Sequence, residues 1–550
     1  MAHGFGWLQI RTERAAAFLL GGSLALGFAH IAILPPWEGF DEPYHYSYVQ
    51  QLSETGELPS RETARVSQDV ARYALAAPMP YELTPPVTYH SFFDPSKGAA
   101  NRSLGLVHKL PARPRQYEPS NWHNSERKHP PLYYVLLTPI YRLTRHLSWG
   151  AHLFSLRLAS YLLAWLALAL AVWGCLRLAA RADSPRWQWA ALGTALWPLL
   201  FPAWFPEMAR MGNDSLCALI ATLVWLATVH RAGSRVSVRF AVATGILLGL
   251  GCLTKAFFVP FAVSIVLWWV IGGAGRSRWA SVGLASVAAL TACAIAAWWY
   301  LDHWDTYFRI ATSARTDGLV NGLSRNFSLW AWLRGHAAFV TTVAWSGTWS
   351  LARPQYGFLF PLSSLVILTA VAYAAALRRA RVASIEWLPV WFSLPMLVAL
   401  SYYVLVRVAA TGEGKGAVGY YLHVLVGPLG FAVGLGLCTA QRSPAFRRVF
   451  RALAVYAVGF GVAISWAQVM LFSGLLVKGP DKFYHAPAPL PSLLGVPEAF
   501  ARLQKLAYPG VAAIAWCVGA SLALAGLGFA YAAIQNLPLT RREASSPRTR

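Results

Sequence analysis

The chain has 550 residues, 56% of them hydrophobic and 13% charged, where an average soluble domain carries roughly a quarter charged residues. Its 47 Lys and Arg against 23 Asp and Glu leave a net charge of +24, a balance that signals nucleic-acid binding only in a less apolar chain. The composition excludes a soluble nucleic-acid-binding protein, a disordered chain and a collagen-like repeat. It leaves an all-α polytopic membrane protein, in which the surplus charge needs a membrane explanation.

The first candidate span is Ala15–Leu34, preceded by Arg11 and Arg14. No small-residue cleavage site follows it, and the chain runs on into Pro35-Pro36-Trp37, so it reads as an uncleaved helix with a cytoplasmic start. Residues 35–152 form a large polar segment rich in Pro, Tyr and His. Within it, Pro130–Leu147 is apolar but carries Arg142 and Arg145, which suits a helix lying on the membrane surface. Further spans are expected at 153–176, 187–206, 214–230, 240–253, 256–273, 279–300, 358–377, 387–406, 420–438, 452–472 and 509–534, about 12 in all.

The basic residues orient these spans. Arg177, Arg181 and Arg186 share one connection, and Arg231, Arg235 and Arg239 share the next. Later connections hold Arg276 and Arg278, then Arg378, Arg379 and Arg381, then Arg442, Arg447, Arg448 and Arg451, and the tail ends in four arginines. With a cytoplasmic amino terminus every one of these clusters falls inside, as the positive-inside rule requires. Counting 130–147 as a span would turn all the later clusters outward. The same parity demands two crossings from Phe240 to Gly273, which places Lys255 at a tight outer turn between short helices. The six cysteines each lie in an apolar run without a CxxC pair, so they read as packing residues.

This topology divides the chain into a start and first helix (1–34), a large outer segment (35–152), six spans (153–300), an outer loop (301–357), four spans (358–472), a last outer loop (473–508), and a final span with a basic cytoplasmic tail (509–550). Nearly all the sequence able to do chemistry is then extracytoplasmic. Just beyond the first span stands Phe40-Asp41-Glu42-Pro43-Tyr44-His45. Pro43 suits the first turn of a helix with Asp41 as its cap. Adjacent carboxylates at a membrane border equally suit a site at the interface. Asp41 and His45, four apart, would share a helix face and could take a divalent metal, although one carboxylate–His pair is a weak pattern.

One apolar helix followed by Phe-Asp-Glu-Pro-x-His, and then by Tyr48-Val49-Gln50-Gln51-Leu52-Ser53-Glu54-Thr55-Gly56-Glu57-Leu58-Pro59, resembles the start of the GT-C type integral-membrane glycosyltransferases. The likeness is to bacterial relatives of protein O-mannosyltransferases and of the lipid A aminoarabinose transferase. Lys128-His129-Pro130-Pro131-Leu132-Tyr133-Tyr134 resembles the start of a surface helix of that family. Arg157-Leu158-Ala159-Ser160 and Met211-Gly212-Asn213-Asp214-Ser215-Leu216 resemble its span openings, and Gly249-Leu250-Gly251-Cys252-Leu253-Thr254-Lys255 its Leu-Thr-Lys turn near the carrier phosphate. Relatives often carry Gly-Arg-Tyr before a late span, where Gly419-Tyr420-Tyr421 here has Tyr in place of the Arg. Arg353, Arg407 or Lys415 would have to substitute for it.

The resemblance implies a GT-C-like fold with juxtamembrane helices and transfer of a sugar from a polyprenyl-phosphate carrier, with inversion, to an acceptor hydroxyl on a glycan, lipid or protein. Asp41 is the expected base, Glu42 orients it or the acceptor, and Asp214 is either a second catalytic carboxylate or the cap of its span. Lys255, or else a snorkelling lysine at that turn, heads the candidates for the donor phosphate, followed by Arg210 and Lys128. His129 donates to phosphate or caps the Pro-Pro helix. No cofactor is required, a divalent metal being the one candidate. The expected setting is the bacterial inner membrane, among membrane lipids and without nucleic acid. A lipid-linked-glycan flippase, a polymerase or ligase using a pyrophosphate-linked donor, and a non-catalytic carrier-lipid binder are the rival readings.

Overall fold

The computed structural model describes residues 2–60, 63–78, 87–93, 114, 116–182, 184–231, 236–272, 277–307, 319–351, 356–378, 380, 384–414, 419–478, 484–485 and 496–536. In chain order the helices are α1 (Ala2–Ile33), α2 (Glu42–Thr55), α3 (Gln68–Ala76), α4 (Tyr89–Phe93), α5 (Leu132–Thr144), α6 (Trp149–Ala182), α7 (Pro185–Ala195), α8 (Trp197–Leu200), α9 (Trp204–Met208), α10 (Asp214–Arg231), α11 (Val238–Cys252), α12 (Phe258–Gly272), α13 (Arg278–Asp302), α14 (Leu319–Asn326), α15 (Leu329–Ala344), α16 (Tyr356–Leu377), α17 (Leu388–Thr411), α18 (Val426–Ala440), α19 (Pro444–Phe472), α20 (Val496–Leu503) and α21 (Pro509–Asn536). Two short antiparallel ribbons accompany them. In the first, Arg65–Ser67 pairs with Pro119–His123 and staples together the two ends of the insertion after α2; the second pairs Val477–Lys478 with Tyr484–His485.

Among the described residues nine helices are long and apolar enough to cross a membrane. The stretch from Phe240 to Gly273 resolves into the two short apolar helices α11 and α12, with Lys255 in the turn between them. The span expected at 187–206 is instead broken into α7, α8 and α9. Pro198, Pro202 and Pro206 explain the break, because each lacks the N–H that a continuous helix needs. Its last piece leads directly to Glu207 and Arg210.

Close helix packing comes from small residues, as expected where lipid supplies no hydrophobic drive between helices. The N-terminal helix α1 lies along the C-terminal helix α21. Helices α7 and α18 approach so closely that a Cβ on Gly193 would stand 2.4 Å from the Gly434 backbone. The surface-helix reading of 130–147 fits α5, which has 13 residues. It buries Tyr133, Tyr134, Leu137 and Tyr141 on one face and leaves Val135, Leu136 and Leu143 exposed on the other. The helix ends that parity assigns to a single membrane face, at residues 34–42, 207–214, 253–258 and 419–425, converge beside α5.

Candidate active site

The loop after α1 is held in an unusual backbone path. Trp37 (φ 71°) and Asp41 (φ 61°) both adopt the left-handed conformation, which costs a non-glycine residue energy and persists only where the surroundings fix it. Several contacts do so. Buried Glu38 accepts hydrogen bonds from Tyr89 Oη (2.6 Å), Ser350 Oγ (2.6 Å) and the Ser350 amide (3.2 Å). Arg210 Nη1 donates to the Phe40 carbonyl at 2.7 Å, and the Phe40 ring packs on Trp349 and Tyr420.

Asp41 and Glu42 have opposite surroundings. Glu42 is fully buried and forms a two-pronged ion pair with Arg157 of α6, Nε to Oε1 at 2.7 Å and Nη2 to Oε2 at 2.6 Å. The same carboxylate accepts from the amides of Met211 (3.1 Å) and Gly39 (3.4 Å), while Arg157 also donates to the carbonyls of Leu34 and Pro35. The bonding capacity of Glu42 is thus consumed in joining α1, α6 and the segment before α10. Asp41 occupies the N-cap position of α2, with Pro43 in its first turn, but its side chain makes no capping bond. Its partly buried carboxylate has no hydrogen-bond or ion-pair partner among the described residues.

Around Asp41 stand two charged groups. In one, Arg210 Nη2 reaches Glu207 (2.6 Å) and Asp214 (3.4 Å), and Lys255 Nζ reaches Asp214 at 2.6 Å. Lys255 also stands 4.6 Å from the centre of the Tyr421 ring. Asp214 opens α10 as anticipated, but its carboxylate is used by these two cations. In the other group, buried Glu126 meets His129 Nε2 at 2.6 Å, Lys128 Nζ at 3.6 Å and His45 Nε2 at 3.9 Å. The Tyr133 hydroxyl ties α5 to α6 and to the segment before α10, contacting Ser160 (2.6 Å) and accepting from the Gly212 amide (2.9 Å).

Burial raises the Asp41 carboxyl above the usual aspartate range and the charge of Glu126 raises it further, against the pull of Arg210, Lys128 and His129. Glu126 behaves oppositely: burial alone would raise it, but its close contact with His129, together with Lys128, holds it well below the ordinary range. Burial pushes the His45 ring down to about 3, so it faces Glu126 uncharged. A carboxylate held ionised therefore sits near one with a raised proton affinity and no partner, which is the arrangement a general base needs.

The structure brings together Asp41, Glu42, Asp214, Lys255, Arg210, Lys128, His129 and Tyr420. Arg407 lies instead in the last turns of α17, where the neighbouring Ala409 carbonyl accepts from Asn326 of α14. Arg353 and Lys415 lie outside the described residues. His45 is turned toward Tyr134, its Nδ1 2.9 Å from the hydroxyl. Among the described residues no three His, Cys, Asp or Glu side chains are placed to hold one metal ion.

No protein-family model matches the chain, and no curated protein matches it. Solved structures align with it only at low identity and with TM-scores below 0.5. ArnT from Cupriavidus metallidurans bound to undecaprenyl phosphate aligns at 15% identity with a TM-score of 0.44, covering 96% of this chain and 78% of that one. The apo state of the same enzyme gives 13% identity, a TM-score of 0.43 and coverage of 95% and 77%. An oligosaccharyltransferase from Archaeoglobus fulgidus, tethered to an acceptor peptide, aligns at 13% identity and a TM-score of 0.38, covering 84% of this chain and 54% of that one.

Sequence reasoning passed over Glu126, Glu207 and the pairing role of Arg157. A signal existed for each. Glu126 is the acid immediately before the basic run Arg127-Lys128-His129, and Arg157 is a charge within an apolar helix, which requires a buried partner. Glu207 stands three residues before Arg210, the spacing at which the two side chains pair.

Proposed function

We propose that the protein is a glycosyltransferase that moves a sugar from a polyprenyl-phosphate carrier to an acceptor hydroxyl, with inversion, on the extracytoplasmic face of a bacterial inner membrane. The observation that carries this reading is the unpartnered Asp41 carboxylate, set among Lys128, His129, Arg210 and Lys255 at the membrane border. In the reaction the acceptor O–H gives its proton to Asp41 as its oxygen bonds to the anomeric carbon. The bond from that carbon to the phosphate oxygen breaks, and the electron pair leaves with the polyprenyl phosphate. Single displacement inverts the anomeric centre.

The cations have distinct tasks. Lys128, whose side chain is 39% exposed, is open to the phosphate. Lys255 has donors to spare beyond its bond to Asp214, and Arg210 keeps its Nε free of any partner among the described residues. These groups stabilise charge gathering on the leaving phosphate. Glu42 supports the loop through Arg157, and Asp214 holds Lys255 and Arg210 in place. Because protein cations meet the phosphate, transfer is expected to survive chelation of divalent metals.

The experiment is transfer from a defined polyprenyl-phosphate sugar by purified protein, comparing the native chain with Asp41→Asn. Full transfer by the variant would remove Asp41 as the base. The broken segment α7–α9 is the one feature that also suits a transporter. Movement of a lipid-linked sugar across vesicles, without transfer to an acceptor, would establish that reading instead.

A further inference from the structure

A cavity of about 470 Å³ is walled by α1, the broken segment α8–α9, α19 and α21. Helices α19 and α21 are not packed along each other's length, and their apolar side chains Val462 and Leu524 are 68% and 70% exposed at its margin. The cavity therefore opens sideways toward the bilayer. The short helix α20 bridges the outer ends of α19 and α21 above it.

The lining is apolar apart from a few side chains, and two of these are decisive. Gln468 is 1% exposed and neither its Oε1 nor its Nε2 has a partner among the described residues; His30 is 5% exposed and its Nε2 has none. Buried amides and imidazoles without partners are costly, so a site that retains them is shaped for a ligand with hydrogen-bonding groups. Gln468 lies four residues before the end of α19 and His30 three before the end of α1, roughly 4.5–6 Å of helix rise below their outer ends. That depth is near the polar boundary of the hydrocarbon layer, where the ester carbonyls of diacyl lipids lie. An isoprenoid chain carries only carbon and hydrogen along its length and could not satisfy an amide.

We propose that this cavity is a binding site for a diacyl lipid of the surrounding bilayer, seated from the side between α19 and α21 with a carbonyl hydrogen-bonded to Gln468 and His30. The inference does not depend on glycosyl transfer, since lipid binding is read without any sugar donor.

The test uses delipidated full-length protein titrated with dipalmitoyl phosphatidylethanolamine, and separately with undecaprenyl phosphate, each followed by native mass spectrometry. Gln468→Leu keeps the cavity's shape and removes its polar group. Gly461→Leu plugs it, because a Cβ at Gly461 meets only Pro202, at 3.8 Å. Both variants are expected to reduce the phosphatidylethanolamine-bound fraction at least threefold and to leave undecaprenyl phosphate binding unchanged. Equal phosphatidylethanolamine binding by the native chain and both variants would overturn the proposal. So would loss of undecaprenyl phosphate binding in Gly461→Leu, which would assign the cavity to the carrier.

Discussion

Asp41 and Glu42 are adjacent carboxylates with opposite environments. Glu42 is sealed from solvent, saturated by Arg157 and two amides, and bonded to three parts of the chain. Asp41 is partly open, bound by nothing among the described residues and held in a left-handed backbone conformation. A buried, fully paired carboxylate organises a fold, whereas a carboxylate kept unpaired among cations has been left available for a proton. The two neighbours in Phe-Asp-Glu-Pro are thus divided by the structure into a paired and an unpaired carboxylate.

The sharpest way to break this contrast is to neutralise each acid in turn. Asp41→Asn is expected to lower kcat/KM for transfer by about 10²–10⁴-fold, the usual share of a general base, while its thermal midpoint stays near that of the native chain. Glu42→Gln should show the reverse pattern. Depriving buried Arg157 of its counter-charge is expected to cost about 3–5 kcal/mol of stability, seen as a lowered thermal midpoint and reduced yield of folded protein in detergent. If Asp41→Asn proved the more destabilised of the two, the division of roles would be wrong.

A smaller effect separates the phosphate cations from the base. Lys128→Gln removes a partly exposed charge that can meet the donor, and is expected to cost about 1.5–3 kcal/mol in kcat/KM, with the acid limb moved to higher pH because Lys128 pulls the Asp41 pKa down. The smallest effect concerns proton affinity. Asp41 must be ionised to accept a proton, and its pKa is raised by burial and by Glu126. Activity should therefore fall as pH drops through a value above the ordinary aspartate range of about 4. Glu126→Gln removes the negative neighbour and frees Lys128 and His129, so this acid limb should move to lower pH. Movement to higher pH would show that Glu126 does not act on Asp41 through its charge.

Much of this was legible in the amino acids themselves. The parity of the Arg clusters anticipated the turn at Lys255, and the surface-helix expectation for 130–147 fits the 13 residues of α5, because charge and hydrophobic length act locally. The span expected at 187–206 was misread because a hydropathy window counts apolar residues and overlooks the spacing of three prolines. Asp41 was singled out with the right alternatives, cap or reactive acid, but local sequence could not choose between them. The structure adds that the Asp41 side chain makes no capping bond, on a loop held through Glu38 by residues 89 and 350 and through the Phe40 carbonyl by residue 210.

The sequence by itself determined the all-α, multi-pass membrane class of the protein, its long apolar helices and the neighbourhood of the candidate site. These follow from composition and from patterns within some twenty residues. Only the tertiary structure decided which acid is paired and which is free, since Arg157, the partner of Glu42, and Lys255, the nearest partner of Asp214, come from separate elements far along the chain. It alone revealed that the +24 surplus includes cations withdrawn from solvent, Arg157, Arg210 and Lys255, whose burial is tolerable because each meets a carboxylate within 2.7 Å.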